Sequence, residues 1–217
     1  MIERQKEKRQ RSLVGTFFAP ESMVVNILDQ FSDMVILNVL CILCSLPIIT
    51  AGISISAACA CSVKMKKGRG GGMLREFLSE WKRGWKQVTP LWMVMACLLA
   101  ILLFEFRITA DMPGMMQTSF RCILTIAIIL WMAVFVYVFP LMSVYQTTRR
   151  EAIKNAVLLS VANLPKTILM MAVVLLPVLF MLLAPKAFGM TLLFLLVVGV
   201  EGIIMVNCIL FLGIMKI

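Results

Sequence analysis

The chain has 217 residues, 61% of them hydrophobic and 15% charged, with a net charge of +10 and no histidine. A water-soluble domain of this length carries more charge and shorter apolar runs, so that class is excluded. The basic excess does not point to nucleic acid, because Lys and Arg gather in the segments flanking apolar runs, as membrane topology requires.

Residues 1–22 form a tail with basic residues at positions 4, 6, 8, 9 and 11. It is expected on the cytoplasmic side, near anionic headgroups. It stands too far ahead of the first apolar run to act as a signal peptide. Residues 23–217 read as a single all-α polytopic membrane domain, since helices satisfy their own backbone hydrogen bonds in lipid.

The segment Met34–Val63 carries no charge and contains "CSLPIITAGIS" at Cys44–Ser54. Pro47 disfavours helix around it, and Ile48, Ile49 and Thr50 are β-branched and stiff. Gly52 permits a turn, and Thr50 or Ser54 can cap a new helix. Charge arithmetic agrees with a reversal here. With one span, 13 basic residues fall inside and 8 outside; with a reversal near Pro47–Gly52, 18 fall inside and 3 outside. The positive-inside rule favours the reversal, with an external turn and both termini cytoplasmic. The second leg is short for a full crossing, so it is either sheltered by neighbours or re-entrant. Its small residues Gly52, Ser56 and Ala60 recur every four positions, a spacing that brings helices close.

After the glycine-rich hinge Lys66–Gly72, the stretch from Met73 to Trp92 carries Leu74, Phe77, Leu78, Trp81, Trp85 and Val88 at helical spacing. An amphipathic helix at the cytoplasmic interface is expected, anchored by Trp81, Trp85, Lys82, Arg83 and Lys86. The layout recurs 75 residues later: Arg75-Glu76 precedes Pro90 by fourteen residues, as Arg150-Glu151 precedes Pro165. Each proline is expected to open a span, where its missing N–H costs nothing. Helices 73–87 and 150–163 are thus two cytoplasmic interfacial elements. About six membrane segments pair as hairpins over 23–67, 88–144 and 166–215. Pro140 and Pro177 are expected to kink or end their spans. Glu105, Arg107 and Asp111 read as groups snorkelling at the external end.

The stretches "FSDMVILNVLCILCSLPIITAGISISA", "LREFLSEWKRGWKQVT", "YVFPL" and "KNAVLLSVANLPKTI" resemble the YesL-like family of bacterial membrane proteins. The resemblance runs from about Phe31 to Phe180, and Leu46–Gly52 is its most specific element. It implies an integral protein of the bacterial cytoplasmic membrane, often encoded near carbohydrate-uptake systems, with no established activity and no catalytic residues.

Glu201 is the acid well inside an apolar run, and an intramembrane carboxyl is a functional candidate by default. Asn38 and Asn207 are its expected hydrogen-bonding partners. Seven cysteines lie in or beside apolar runs. Cys41 and Cys44 stand one turn apart, but without histidine or a second such pair the cysteines read as packing residues rather than metal ligands. No nucleophile–base pattern, metal set or cofactor motif is present, so no enzyme is expected. Two functions remain: an accessory component associated with carbohydrate uptake, or a small transporter subunit binding solute between hairpins. The expected partners are the lipid bilayer and a sugar-uptake complex.

Overall fold

A computed structural model describes residues 23–66, 72–109, 114–145, 147–183 and 188–215, with side chains of the first helix described from Leu28. The basic tail, most of the hinge, Asp111, Lys186 and Lys216 lie outside the described residues. Among the described residues all regular structure is helical. The helices are α1 (Met23–Ser45), α2 (Ala51–Lys66), α3 (Met73–Ile108), α4 (Met115–Tyr145), α5 (Arg149–Ala162), α6 (Leu164–Leu183), α7 (Phe188–Phe194) and α8 (Val200–Met215). A short 3-10 turn, Ile48–Thr50, joins α1 to α2, and a π-helical segment, Leu195–Gly199, joins α7 to α8. Among the described residues, six stretches are long and apolar enough to cross a membrane. The chain is an all-α polytopic membrane protein.

The chain reverses at Pro47, as its local chemistry predicts. α2 is the centre of the fold and packs against α1, α3, α4 and α8. Twelve of its 16 residues are buried, including Gly52, Ser56 and Ala60. Small side chains let the neighbours close around it, and they shelter a helix only about 24 Å long at 1.5 Å per residue.

α3 corrects the expected layout. Residues 73–87 are not a separate interfacial helix, because the helix continues through Pro90 to Ile108. Pro140 and Pro177 likewise lie within α4 and α6 and end neither. The second interfacial segment does stand alone as α5, which buries Ala152, Ala156 and Ser160 on one stripe.

α2 runs antiparallel to the first half of α3. At one end Lys64 pairs with Glu76 (3.5 Å) and Glu80 (3.4 Å). At the other, Gly52 lies against Trp92. The apolar turn therefore sits beside Trp92, and α3 continues 16 residues past that point, about 24 Å.

Candidate functional site

Two polar arrangements stand out inside an otherwise apolar bundle. The first is built around Glu201, which is 1% exposed. In the π-helical segment Val200 N–H bonds to Leu195 O, so the ladder is one residue too wide. Asn38 of α1 is inserted into the gap. Its Nδ2 donates to Leu196 O (2.7 Å) and Leu195 O (3.2 Å), and its Oδ1 accepts from Glu201 N (2.8 Å). One buried carboxamide thus supplies the backbone partners that the widened turn lacks. Gly199 lies close to this turn: a Cβ would meet Leu195 Cδ2 at 2.9 Å and Phe194 O at 3.2 Å, so a larger residue needs Leu195 to shift.

The Glu201 carboxyl accepts a short hydrogen bond from Ser62 of α2, while its Oε2 is buried with no hydrogen-bond partner among the described residues. The ion pairs of the described residues are Lys64–Glu76, Lys64–Glu80 and Arg83–Glu80, none of which reaches it. An ionised carboxylate in such surroundings is costly, so a protonated acid, or one matched by a bound cation or donor, fits the site.

Of the three residues expected to form one polar site, the structure brings Glu201 and Asn38 together and leaves Asn207 apart. Asn207 Nδ2 donates to Ile203 O in its own helix (2.9 Å), and its buried Oδ1 has no partner. It instead lines a cavity of about 270 Å³ whose walls include Phe135, Phe139 and Val174. Cys59 and Cys208 also line it and are joined as a disulfide, so α2 is covalently tied to α8. This corrects the reading of all the cysteines as packing residues. Cys41 and Cys61 are buried and free, and Cys44 does not pair with Cys41. Sequence reasoning missed Ser62 and the disulfide, because no spacing rule links residues 139 and 149 positions apart.

The second arrangement is the turn. Thr50 Oγ1 shares its hydrogen between Cys44 O (2.6 Å) and Pro47 O (2.7 Å), and Thr50 N donates to Pro47 O (2.8 Å). Leu46 N reaches Leu43 O, and Trp92 Nε1 donates to Ile48 O (2.6 Å). Thr50 and Ser54 therefore do not act as N-caps: Thr50 turns back on the loop, and Ser54 donates to Thr50 O (3.0 Å). Gly52 does not form the turn either. It is inside α2, and it is glycine because a Cβ would stand 2.5 Å from Trp92 Cβ. Leu46, Ile48 and Ile49 are 73%, 74% and 51% exposed. The turn thus combines satisfied carbonyls with an apolar exterior, the combination that hydrocarbon demands of non-helical backbone.

The expected anchors divide. Trp85 is exposed, and so are Lys82, Arg83 and Lys86, whereas Trp81 is half-buried and packs on the core. On the expected apolar face Phe77 and Val88 are buried, while Leu74 and Leu78 are exposed. α2 covers the face that was expected to meet lipid. Glu105 and Arg107 are exposed near the end of α3.

Arg149, the first residue of α5, donates from Nε to Gln87 O (3.1 Å) and through its terminal nitrogen to Lys86 O. Pro90 has no N–H to give Lys86 O, the carbonyl four residues before it. Arg149 supplies that donor from another helix.

A family model described as a protein of unknown function, DUF624, matches residues 34–106. The match covers most of α1, the turn, α2 and nearly all of α3, so it contains Asn38, Ser62, Gly52 and Trp92 but not Glu201. No curated protein and no solved structure matches the chain.

Proposed function

We infer that the chain is a YesL-like protein of the bacterial cytoplasmic membrane that serves as an accessory component of a carbohydrate-uptake system. The observation carrying this reading is the Arg149 contact, which joins the basic first half of α3 to α5. It joins two helices that each expose apolar side chains among basic residues, Leu78 and Trp85 on α3 and Ile153 and Leu158 on α5. Such surfaces suit docking on a membrane partner at the cytoplasmic side. Purification of the intact chain from its native membrane tests this: uptake-system subunits are expected to co-purify, and their absence overturns the reading.

The topology belonging to this reading has cytoplasmic termini, the Ile108–Met115 connection outside, and a re-entrant first hairpin. The apolar, internally bonded turn beside Trp92, roughly 24 Å along α3 from that connection, supports it. A single engineered cysteine at Gly114 is expected to react with an impermeant reagent from outside, and one at Ile48 from neither side. External labelling at Ile48 would mean a full crossing.

The cavity beside Asn207 favours a second reading, a small transporter subunit binding solute between helices. Its mostly apolar wall with one unpaired amide oxygen is the form of a small-molecule site. Solute bound by the purified chain alone would support it. If Glu201→Gln leaves both stability and uptake unchanged, the carboxyl has no functional part in either reading.

A further inference from the structure

A second cavity, of about 300 Å³, opens between α2, α3 and α4. Its α2 wall consists of Ser56, Ala57 and Ala60, and its α3 wall carries Glu80, Arg83 and Lys86. Ser143, two residues before the end of α4, closes the third side. No long side chain of α2 enters it, so the small-residue stripe that packs α2 also leaves room at this level.

The charge around the cleft is not balanced. Glu80 pairs with Lys64 (3.4 Å) and with Arg83, and Glu76 pairs with Lys64 (3.5 Å). Lys64 and Arg83 therefore offset the two carboxylates, and Lys86 and Arg149 set the sign of the rim. Arg149 is held there by its bonds to the carbonyls of the two lining residues Lys86 and Gln87. A guanidinium has five donors, and those two bonds leave three for an incoming oxyanion. The hydroxyl of Ser56 adds a donor at the wall, while Ser143 donates to Pro140 O (3.0 Å).

The cleft also stands at a definite level of the bundle. It lies at the end of α4, beside the start of α5, where Arg149 and Arg150 follow within a few residues. Exposed Trp85 neighbours it on α3. On the topology proposed above this level is the cytoplasmic boundary, and a basic pocket between helices there, with an indole nearby, matches the recognition of an anionic headgroup by its phosphate. We propose that this cleft binds the phosphate diester of an anionic phospholipid of the inner leaflet, one lipid per chain, with Lys86 on the phosphate and Arg149 at the rim. The same oxyanion chemistry would accept free phosphate. The lipid is the occupant argued here, because exposed Trp85 stands between the lining residues Gly84 and Lys86 and offers an apolar surface that free phosphate would not use.

The test uses the delipidated full chain in detergent, titrated with phosphatidylglycerol or phosphatidylcholine of identical acyl chains and followed by native mass spectrometry. One phosphatidylglycerol is expected to be retained, and phosphatidylcholine is not. Lys86→Gln is expected to weaken retention about fivefold, the effect of removing one surface charge beside an anionic lipid. Lys82→Gln and Arg75→Gln remove equal charge from exposed positions outside the cleft and are expected to leave retention unchanged. Equal binding of the two lipids, or equal losses in cleft and control variants, overturns the site. Inorganic phosphate that binds in a Lys86-dependent way and is not displaced by phosphatidylglycerol overturns the assignment to a lipid.

Discussion

Two stretches of this molecule share a local plan and fold differently. In each, an Arg-Glu pair precedes a proline by fourteen residues. At Pro90 the helix runs on without interruption, so that α3 is 36 residues long. At Pro165 the chain breaks, with α5 ending at Ala162, Asn163 leaving helical geometry (φ −126°, ψ 48°) and α6 starting at Leu164. Pro90, inside a helix, leaves Lys86 O without its donor, whereas Pro165 stands in the first turn of α6, where its missing N–H costs nothing. Each junction has its own side-chain donor. At Pro90 it is Arg149, reaching across from another helix to Lys86 O and Gln87 O. At Pro165 it is Thr167, two residues on, whose hydroxyl donates to Ser160 O and Asn163 O, each at 3.0 Å. The distant donor serves a helix that runs on through its proline, and the local one serves the break ahead of Pro165.

The residues two places after each proline carry the junctions, and the largest effect is expected at the first. Trp92 fixes the turn through its bond to Ile48 O and packs on Gly52. Gly52→Ala sets a methyl 2.5 Å from Trp92 Cβ and 2.6 Å from Cγ, in a place where both backbones are held. A loss of about 3 kcal/mol is expected, the upper range for overpacking. Thermal unfolding in detergent checks it. If the same substitution costs nothing, Trp92 does not clamp the turn. Adding Gly52→Ala to Trp92→Leu should cost far less than adding it to the native chain.

Thr167 is the counterpart at the second junction, with a somewhat smaller effect. It is 3% exposed, and Tyr137 is fully buried with its hydroxyl 2.9 Å from Thr167 Oγ1. Because Thr167 donates to carbonyls, Tyr137 donates to Thr167. Thr167→Val keeps the shape but strands Ser160 O and the Tyr137 hydroxyl, for about 2 kcal/mol. Thr167→Ser keeps the hydroxyl and is expected to retain most of the stability. Equal losses in the two variants would mean that the methyl, not the hydrogen bonds, holds the bend.

Much of this architecture is legible in the sequence, for reasons that also mark its limits. The spans, the reversal at Pro47 and the separate α5 follow from hydropathy, β-branching and proline, all of which act within a few residues. Gly52 was visible as a special position, but its reason was not, because a turn and a close helix contact both ask for glycine. Trp81 was misread as a headgroup anchor because periodicity shows that a helix has an apolar face and not what covers it; here α2 does. Polarity points to Glu201 and Asn38 as neighbours but not to how they meet: Asn38 bonds the Glu201 backbone N–H, while the carboxyl takes its hydrogen bond from Ser62. Asn207 was equally polar, but it bonds its own helix, and no one-dimensional pattern separates those outcomes. Ser62 was hidden among the small residues of α2. Arg149 could have been found: once Pro90 is read as helical, Lys86 O needs a donor, and a basic residue heading the next cytoplasmic helix is a natural source.

Arg149 therefore gives the smaller single effect, and its coupling to Pro90 gives the smallest and most specific one. Its bonds are exposed, so water can replace part of what Arg149→Met removes, and a loss of about 1 kcal/mol is expected. Pro90→Ala returns an N–H to the helix, placed to bond Lys86 O, and is expected to change stability little, because the native chain has already accommodated the proline. The two substitutions should not add. With an alanine at 90, Lys86 O no longer depends on Arg149, so Arg149→Met should cost less than half as much, a coupling of about 0.5 kcal/mol. Thermal unfolding of the four proteins of the cycle measures it. The same cycle run with Pro165→Ala in place of Pro90→Ala should return strictly additive losses, since Thr167 serves that junction without Arg149. Coupling at both prolines would mean that Arg149 acts through the bundle as a whole; coupling at Pro90 alone identifies it as the donor that lets α3 pass through its proline unbroken.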